Sequence, residues 1–157
     1  MNIISPKELK EMLRDGKEIA LIDVREQGVF YKEHQLLASS IPLSHLELRI
    51  DYMAPRRATR IVLVDGGGKD DLAVRAAKRL KQLRYTNIAL LDGGIRAWDE
   101  AGCELFSGVN VPSKAFGEIV EKRCNTPRLT ANELKAMIDR GEGLVILDSR
   151  PKEEYLR

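Results

Sequence analysis

Short apolar runs alternate with amphipathic segments along roughly the first hundred residues of the chain. The runs at residues 19–24, 60–64 and 88–91 are short and apolar, which is the pattern of buried parallel strands. Between two of them, residues 70–83 place apolar side chains on one face at helical spacing. Strands that alternate with helices predict an α/β fold with a mostly parallel central sheet flanked by helices.

Helix signals extend this prediction toward both ends of the chain. Ser5 followed by Glu8 has the pattern of a capping box, which predicts a helix that continues to about Arg14 and is closed by Gly16. We also expect a short strand at 38–41 and helices at 43–50, 95–101 and 112–123.

The opening of the chain recurs 125 residues later, where Thr130 and Glu133 take the places of Ser5 and Glu8. Seven identities hold in register without a gap: Glu8/Glu133, Leu9/Leu134, Lys10/Lys135, Met12/Met137, Gly16/Gly141, Asp23/Asp148 and Arg25/Arg150. Such a repeat indicates two domains of similar size.

We therefore predict a domain at 1–108, a connecting helix or linker at 109–128, and the truncated start of a second repeat at 129–157. A helix and one apolar strand at 144–147 cannot bury enough surface to fold alone. We expect this last segment to be poorly ordered, or to dock on this domain or on a neighbouring copy.

Composition narrows the classes of function. With 26 basic and 24 acidic residues the net charge is +2, and the arginines at 56, 57 and 60 are interpreted as a solvated loop, not a phosphate track. The polar first residues predict no signal peptide, and no apolar run approaches the roughly 20 residues of a membrane helix. Cys103 and Cys124, without a CxxC pattern, predict a cytoplasmic protein.

Asp23-Val24-Arg25, the segment that begins at His34, and residues 91–98 resemble, in this order, the motifs of the rhodanese-like (sulfurtransferase) family. Asp23-Val24-Arg25 resembles its D-x-R motif, and His34 opens a match to its G-H-I-P-G-A segment, from which residues 35–37 depart. Residues 91–98 resemble its G-G-x-x-x-W signature. The resemblance covers about residues 4–107 and implies a rhodanese-like three-layer fold; the repeat resembles the tandem members of the family.

The residues of these motifs have structural interpretations beside the family one. Asp23 and Arg25, at a strand end, would brace neighbouring loops through charge-assisted hydrogen bonds. Trp98 is interpreted as an anchor of the core, and Gly93 and Gly94 as positions of positive φ or close packing.

The remaining reactive side chains are few and scattered. His34 and His45 are the only histidines and have no cluster of ligands around them, so we assign them structural roles and predict no metal. No cofactor is expected either. Cys103 and Cys124 do not follow a strand at a helix N-terminus, so we interpret both as inert thiols.

In active members of the family, a loop C-x-x-G-x-R-[ST] follows the strand equivalent to residues 60–64, and the resemblance implies that its cysteine carries sulfur as a persulfide. Backbone N–H groups at a helix N-terminus would lower the pKa of such a thiol and hold anionic donors. The corresponding loop of this chain contains Asp65, Gly66, Gly67, Gly68, Lys69, Asp70 and Asp71.

Asp65 stands at the position of the cysteine, Gly68 at that of the glycine, Asp70 at the arginine and Asp71 at the hydroxyl residue. A carboxylate cannot carry a transferable sulfur atom. Three aspartates against one lysine would also repel a thiosulfate-like dianion, by about 1 to 4 kcal/mol for each close pair of like charges. We predict a vestigial site and no catalytic residue; related phosphatases are excluded because they too need the cysteine.

Other interpretations of the loop remain open. Gly-Gly-Gly-Lys-Asp is superficially like a phosphate loop, but Asp70 replaces the hydroxyl residue and Leu63 the leading glycine. The aspartates could hold Mg²⁺ or Ca²⁺ weakly. The simpler alternative is that Asp70 or Asp71 caps the following helix.

Two classes of function follow. In the first, the chain is an inactive scaffold domain of a multi-domain thiosulfate sulfurtransferase, a transferase whose working cysteine lies in a later domain, near position 190 by the repeat. Its partners would be neighbouring rhodanese-like domains of the same protein, with a homodimer possible and with neither nucleic acid nor membrane. In the second, the chain is a non-catalytic binding or regulatory module that presents its loop to a partner.

Overall fold

The computed structural model describes residues 2–69, 71–108, 111–150 and 155–156, except for the side chain of residue 114. The chain forms two compact units, Met1–Phe116 and Gly117–Arg157, and the boundary between them falls within a helix. In the described part of the chain, no helix is long and apolar enough to cross a membrane.

The first unit is built around a five-stranded sheet with the order β1-β5-β4-β2-β3, in which every pair is parallel. The strands are β1 Asn2–Ile4, β2 Ala20–Asp23, β3 Ser39–Ser40, β4 Ile61–Val64 and β5 Ile88–Leu91. This confirms the predicted α/β fold with its parallel sheet. Because Asp23 pairs with Val64, β2 and β4 end at the same level, and the loops that follow them leave from one edge of the sheet.

With the exception of a short helix at 27–30, which was not predicted, the helices match the predicted positions within a few residues. They are α1 Pro6–Met12, α2 Gln27–Phe30, α3 Leu46–Met53, α4 Leu72–Gln82, α5 Gly94–Glu100, α6 Val111–Cys124 and α7 Ala131–Asp139, with a 3₁₀ turn at Leu43–His45. The predicted capping box of α1 is present, because Ser5 Oγ accepts the Glu8 N–H and the Glu8 carboxylate accepts the Ser5 N–H.

Alternate residues of the strands feed two apolar layers, one on each face of the sheet. Ile22, Leu63 and Leu90 pack in the layer that also holds buried residues of α3 and α4. Their neighbours Leu21 and Val64 point the other way, into a layer completed by α1 and α5. The period of two along each strand therefore produces the three layers of helix, sheet and helix.

The three arginines interpreted as a solvated loop each pair with a carboxylate. Arg60 donates two hydrogen bonds to Asp15, at 2.6 and 2.9 Å, and its guanidinium also reaches the Met12 and Lys17 carbonyls. Arg57 pairs with Asp51 and Arg56 with Glu18. These side chains join distant segments of the chain.

The second unit contains α7 and its capping box, in which Thr130 and Glu133 repeat the bonds of Ser5 and Glu8. The strand predicted at 144–147 is wrong, because the described residues there form no strand, and Val145, Ile146 and Leu147 are exposed. An extended segment becomes a strand only when its backbone groups pair with a neighbour, and an apolar run cannot supply that neighbour by itself.

Candidate functional site

The loop after β4 is held by the carboxylate of its first residue. Asp65 is only 6% exposed. Its Oδ1 accepts the Gly67 N–H and its Oδ2 accepts the Ala73 N–H, each at 3.0 Å. Since Ala73 is in the first turn of α4, one carboxylate closes the loop on itself and also satisfies a free N–H at the start of the helix.

The predicted helix cap is therefore wrong as far as Asp71 is concerned. Asp71 is at the N-cap position, but its side chain makes no capping hydrogen bond; its carboxylate lies 3.7 Å from Arg75 Nη1 on the outside of the helix. The reason is geometric, because the Asp65 carboxylate already lies at the helix end and accepts the Ala73 N–H. Asp70, the other predicted cap, lies outside the described residues.

The turn between β5 and α5 supports the loop from one side. The Ile95 N–H donates to the backbone oxygen of Asp65 at 2.9 Å. A Cβ atom added at Gly94, whose φ is +59°, would lie 2.5 Å from that same oxygen, and one added at Gly67 would collide with the Gly93 backbone. Glycine is required where the two loops meet, since no side chain fits between their backbones.

The outer side of the loop carries basic groups. The Arg96 guanidinium covers Gly68, where an added Cβ would lie 2.8 Å from Arg96 Nη2. Within the described residues Arg96 makes no hydrogen bond or ion pair. The exposed Lys69 belongs to the same loop, and a hollow of about 350 Å³ lies beside it, lined by Asp65, Gly67 and other residues. No pattern along the chain indicated that Arg96 would lie at this loop.

Asp23 and Arg25 form a buried fork at the end of β2. Arg25 Nη2 donates to Asp23 Oδ2 at 2.7 Å, and Nε and the backbone N–H of Arg25 donate to Asp23 as well. The same Nη2 reaches the Glu33 carbonyl at 2.7 Å. The fork therefore fixes the segment that follows α2, and it makes no hydrogen bond with the described residues of the Asp65 loop.

His34 and Trp98 are also bonded within the fold. His34 Nδ1 lies 2.9 Å from the Phe30 carbonyl oxygen, and its ring stacks on the Phe30 ring with 4.0 Å between centroids. The Trp98 indole N–H donates to the Glu104 carbonyl at 3.1 Å, and the ring is buried in the layer on the α1 side of the sheet. Both side chains have structural partners.

Metal binding finds no support in the described residues, where no three His, Cys, Asp or Glu side chains come together in a way that could hold an ion. The Asp65 carboxylate is bonded to backbone N–H groups, and Asp71 faces Arg75. Asp65 and Asp71 therefore have different partners and do not form the predicted cluster, and Asp70 lies outside the described residues.

Comparison with known proteins agrees with this geometry. The model of the rhodanese-like domain family matches residues 5–101. The chain belongs to this family. A crystal structure of a thiosulfate sulfurtransferase from Pseudomonas aeruginosa superimposes with a TM-score of 0.90 at 46% identity, covering 99% of this chain and 29% of that one. This rhodanese-like domain is therefore related to sulfurtransferases.

Two further relatives extend the comparison. A rhodanese-like domain from Anabaena, solved by NMR, has a TM-score of 0.62 at 18% identity over 97% of this chain and 95% of its own, which shows the fold alone. An uncharacterised protein of Synechocystis is 33% identical over 119 residues, covering 74% of this chain and 62% of the relative. The chain thus spans less than two thirds of the Synechocystis protein and under a third of the Pseudomonas one.

Proposed function

We propose that this chain is a non-catalytic rhodanese-like domain of a longer sulfurtransferase, in which it serves as a scaffold for a later domain that carries the reactive cysteine. The observation that carries the proposal is the position of the Asp65 carboxylate. By the resemblance of its loop to the family motif it takes the place of the cysteine, and in the structure it accepts the N–H groups of Gly67 and Ala73.

This arrangement opposes sulfur transfer in two ways. A persulfide needs a thiolate at the end of β4, and a carboxylate forms no such bond to sulfur. An anionic donor would need the N–H groups of the loop and of α4, two of which are already bonded to Asp65. The buried negative charge would also repel that donor.

The two thiols of the chain do not offer a replacement. Cys103 is buried after α5, and its Sγ lies 3.9 Å from the Ala101 carbonyl oxygen. Cys124 is exposed at the last residue of α6. Neither thiol lies at a helix N-terminus, the position that activates a cysteine. Both are free, which supports a reducing cytoplasm as the location.

The scaffold role is supported by the second unit. Residues 130–150 repeat the capping box of α1 and the Asp-x-Arg fork of β2, with Arg150 Nη2 donating to Asp148 Oδ2 at 2.6 Å. We infer that they begin a second rhodanese-like domain, with residues 109–128 as the connection. The Pseudomonas relative, of which this chain covers 29%, is named a thiosulfate sulfurtransferase. Its length leaves room for further domains of this size.

A thiosulfate-to-cyanide sulfur transfer assay tests the proposal. It would compare the 157-residue chain with a version extended through the whole second repeat of its natural sequence. We expect the short chain to be silent and the extended one to be active. If the short chain were active and lost this activity when Cys103 or Cys124 was replaced by serine, that thiol would carry the sulfur. The proposal that the chain is non-catalytic would then be wrong.

A second function is favoured by Arg96. Its guanidinium lies over Gly68 at the outer side of the loop and is unpaired within the described residues. In this alternative the chain is a non-catalytic binding module that presents the loop to a protein partner or a small ligand, and Arg96, on the outer side of the loop, pairs with an acidic group of that partner. Silence of both the short and the extended chain in the transfer assay would support it over the scaffold role.

A further inference from the structure

A cavity of about 430 Å³ lies on the first unit, away from the Asp65 loop, and the two lining sets share no residue. One wall is α1 with the residues that follow it, another is the segment 35–37, and the third runs from Trp98 to Phe106. Leu13, Trp98 and Phe106 give it an apolar lining. The volume is in the range that holds a small ligand or a few residues of a peptide.

Gln35 is an unusual member of this lining. It is 1% exposed, and neither the nitrogen nor the oxygen of its side-chain amide has a hydrogen-bond partner in the described part of the protein. A buried amide without partners destabilises the fold, so such a group calls for an explanation, such as a functional role or a bound water or ion. Because the amide offers both donors and an acceptor, it matches a peptide group, which has one of each.

The rim of the cavity is basic. Lys10 and Arg14 are four residues apart, at α1 and just past its end, and both line the cavity. Neither side chain makes a hydrogen bond or an ion pair with the described residues. Glu104 supplies the one carboxylate of the lining, so the three charges sum to +1. An unpaired arginine recognises a carboxylate or a phosphate through two parallel N–H donors, and the carboxylate is the one of these groups that every free peptide C-terminus carries.

We propose that this cavity binds the apolar C-terminal end of a peptide. The terminal carboxylate pairs with Arg14 and Lys10, and apolar side chains pack against Trp98 and its neighbours. The Gln35 amide, whose nitrogen and oxygen are buried in this structure, turns toward the cavity on binding and pairs with a peptide group of the ligand. This inference does not depend on the proposed function, because no residue of the Asp65 loop takes part. A fatty acid would satisfy the basic rim and the apolar lining but would leave the Gln35 amide without a partner.

Trp98 provides a direct readout, since it is the only tryptophan of the chain. The full chain would be titrated with N-acetyl-Ala-Leu-Leu and with the same peptide ending in an amide, following the Trp98 fluorescence. We expect a saturable change with the carboxylate form and binding at least about tenfold weaker with the amide form, because the charge-assisted bonds are lost. No saturable change with either peptide at millimolar concentration overturns the proposal.

Three variants separate the contacts. Arg14→Gln should weaken the carboxylate peptide about tenfold and leave the amide peptide unchanged. Gln35→Leu should weaken both peptides, and because it removes a buried unpaired amide it should not impair folding. Lys7→Gln is the matched control, since Lys7 is an exposed basic residue of α1 that does not line the cavity. Equal effects of Arg14→Gln and Lys7→Gln would contradict the assignment.

The choice of ligand has its own test. Octanoate, a carboxylate without a peptide group, should bind more weakly than the peptide and should be insensitive to Gln35→Leu. Octanoate binding as tight as the peptide would contradict a role for Gln35. Cys103 lines the same cavity, so in a Cys124→Ser background the bound peptide should slow alkylation of Cys103 severalfold. Unchanged alkylation at a saturating peptide concentration would place the peptide elsewhere.

Discussion

The chain contains the same short structure twice, once in each unit. Ser5 and Thr130 each have a hydroxyl oxygen 2.7 Å from the carboxylate of the glutamate three residues later. Gly16 and Gly141 follow their helices with φ of +71° and +68°. The forks also agree, with Arg Nη2 to Asp Oδ2 distances of 2.7 Å at residues 25 and 23 and 2.6 Å at residues 150 and 148. Short-range sequence is therefore sufficient to build these features.

The surroundings of the two copies differ. The side chains of Arg25 and Asp23 are 4% and 0% exposed, whereas those of Arg150 and Asp148 are 54% and 31% exposed. β2 lies between β4 and β3, which bury its end, and residues 144–147 form no strand. The same ion pair thus exists with and without a sheet around it. Its effect on stability should follow from burial, not from its geometry.

Replacing the aspartate of each ion pair should give the largest difference in stability effect between the two copies. Asp23→Asn leaves the buried Arg25 charge without its partner, so the free energy of unfolding should fall by about 3 to 5 kcal/mol. Asp148→Asn should leave the transition unchanged, because water solvates both groups there. Urea unfolding followed by Trp98 fluorescence measures both. A similar loss in the two variants would show that burial does not set the effect.

The second largest difference in stability effect is expected for the leucines at matching positions of α1 and α7. Leu9 is fully buried in the layer on the α1 side of the sheet, and Leu9→Ala should lower the free energy of unfolding by about 2 to 5 kcal/mol. Leu134 is its counterpart in α7 and is only half-buried. Leu134→Ala should not move the Trp98-reported transition. The comparison fails if Leu134→Ala destabilises the first unit as strongly as Leu9→Ala does.

Ser5 and Thr130 make the same capping hydrogen bonds, but the loss of each cap should be detected by a different measurement. Ser5→Ala should lower the free energy of unfolding by about 1 kcal/mol, because α1 is packed into the first unit. Thr130→Ala removes an equivalent cap from α7, so it should reduce the helical circular dichroism signal slightly and leave the Trp98 transition in place. Two variants with identical unfolding curves and unchanged helix content would contradict a role for the caps.

The smallest expected effect concerns a contact that the second copy lacks. Hydrogen bonds from Arg60 hold the pKa of Asp15 well below its ordinary value of 3.8. The stabilisation is complete above that value and is lost as the pH falls through the lower folded-state pKa, since the unfolded state then binds more protons. In the second copy, Arg140 takes the place of Asp15 and pairs with Glu142.

Unfolding measured from neutral pH into this acid range should therefore show a steeper loss of stability for the wild-type chain than for Asp15→Asn. Salt should reduce the difference, because Asp15 and Arg60 are partly exposed. Parallel pH profiles for the two proteins would show that the Asp15–Arg60 pair does not contribute.

The fold was largely predictable because its strong signals are local. β2, β4 and β5 are apolar runs between polar turns, and the capping boxes are patterns of four residues. Features that depend on distant partners were not predictable. The bonds from Asp65 to α4 require the path of the loop, the strand expected at 144–147 lacks a described neighbour, and burial of Gln35 runs against the usual exposure of glutamine.

We propose that the Asp65 carboxylate takes the place of both the cysteine sulfur and the bound anion at the loop after β4. The decisive experiment is an intact-mass measurement of the chain after incubation with thiosulfate, with an active rhodanese as positive control. We expect the control to gain one sulfur atom and this chain to gain none. A stoichiometric gain of sulfur by the wild-type chain, located on Cys103 or Cys124 by serine variants, would contradict it.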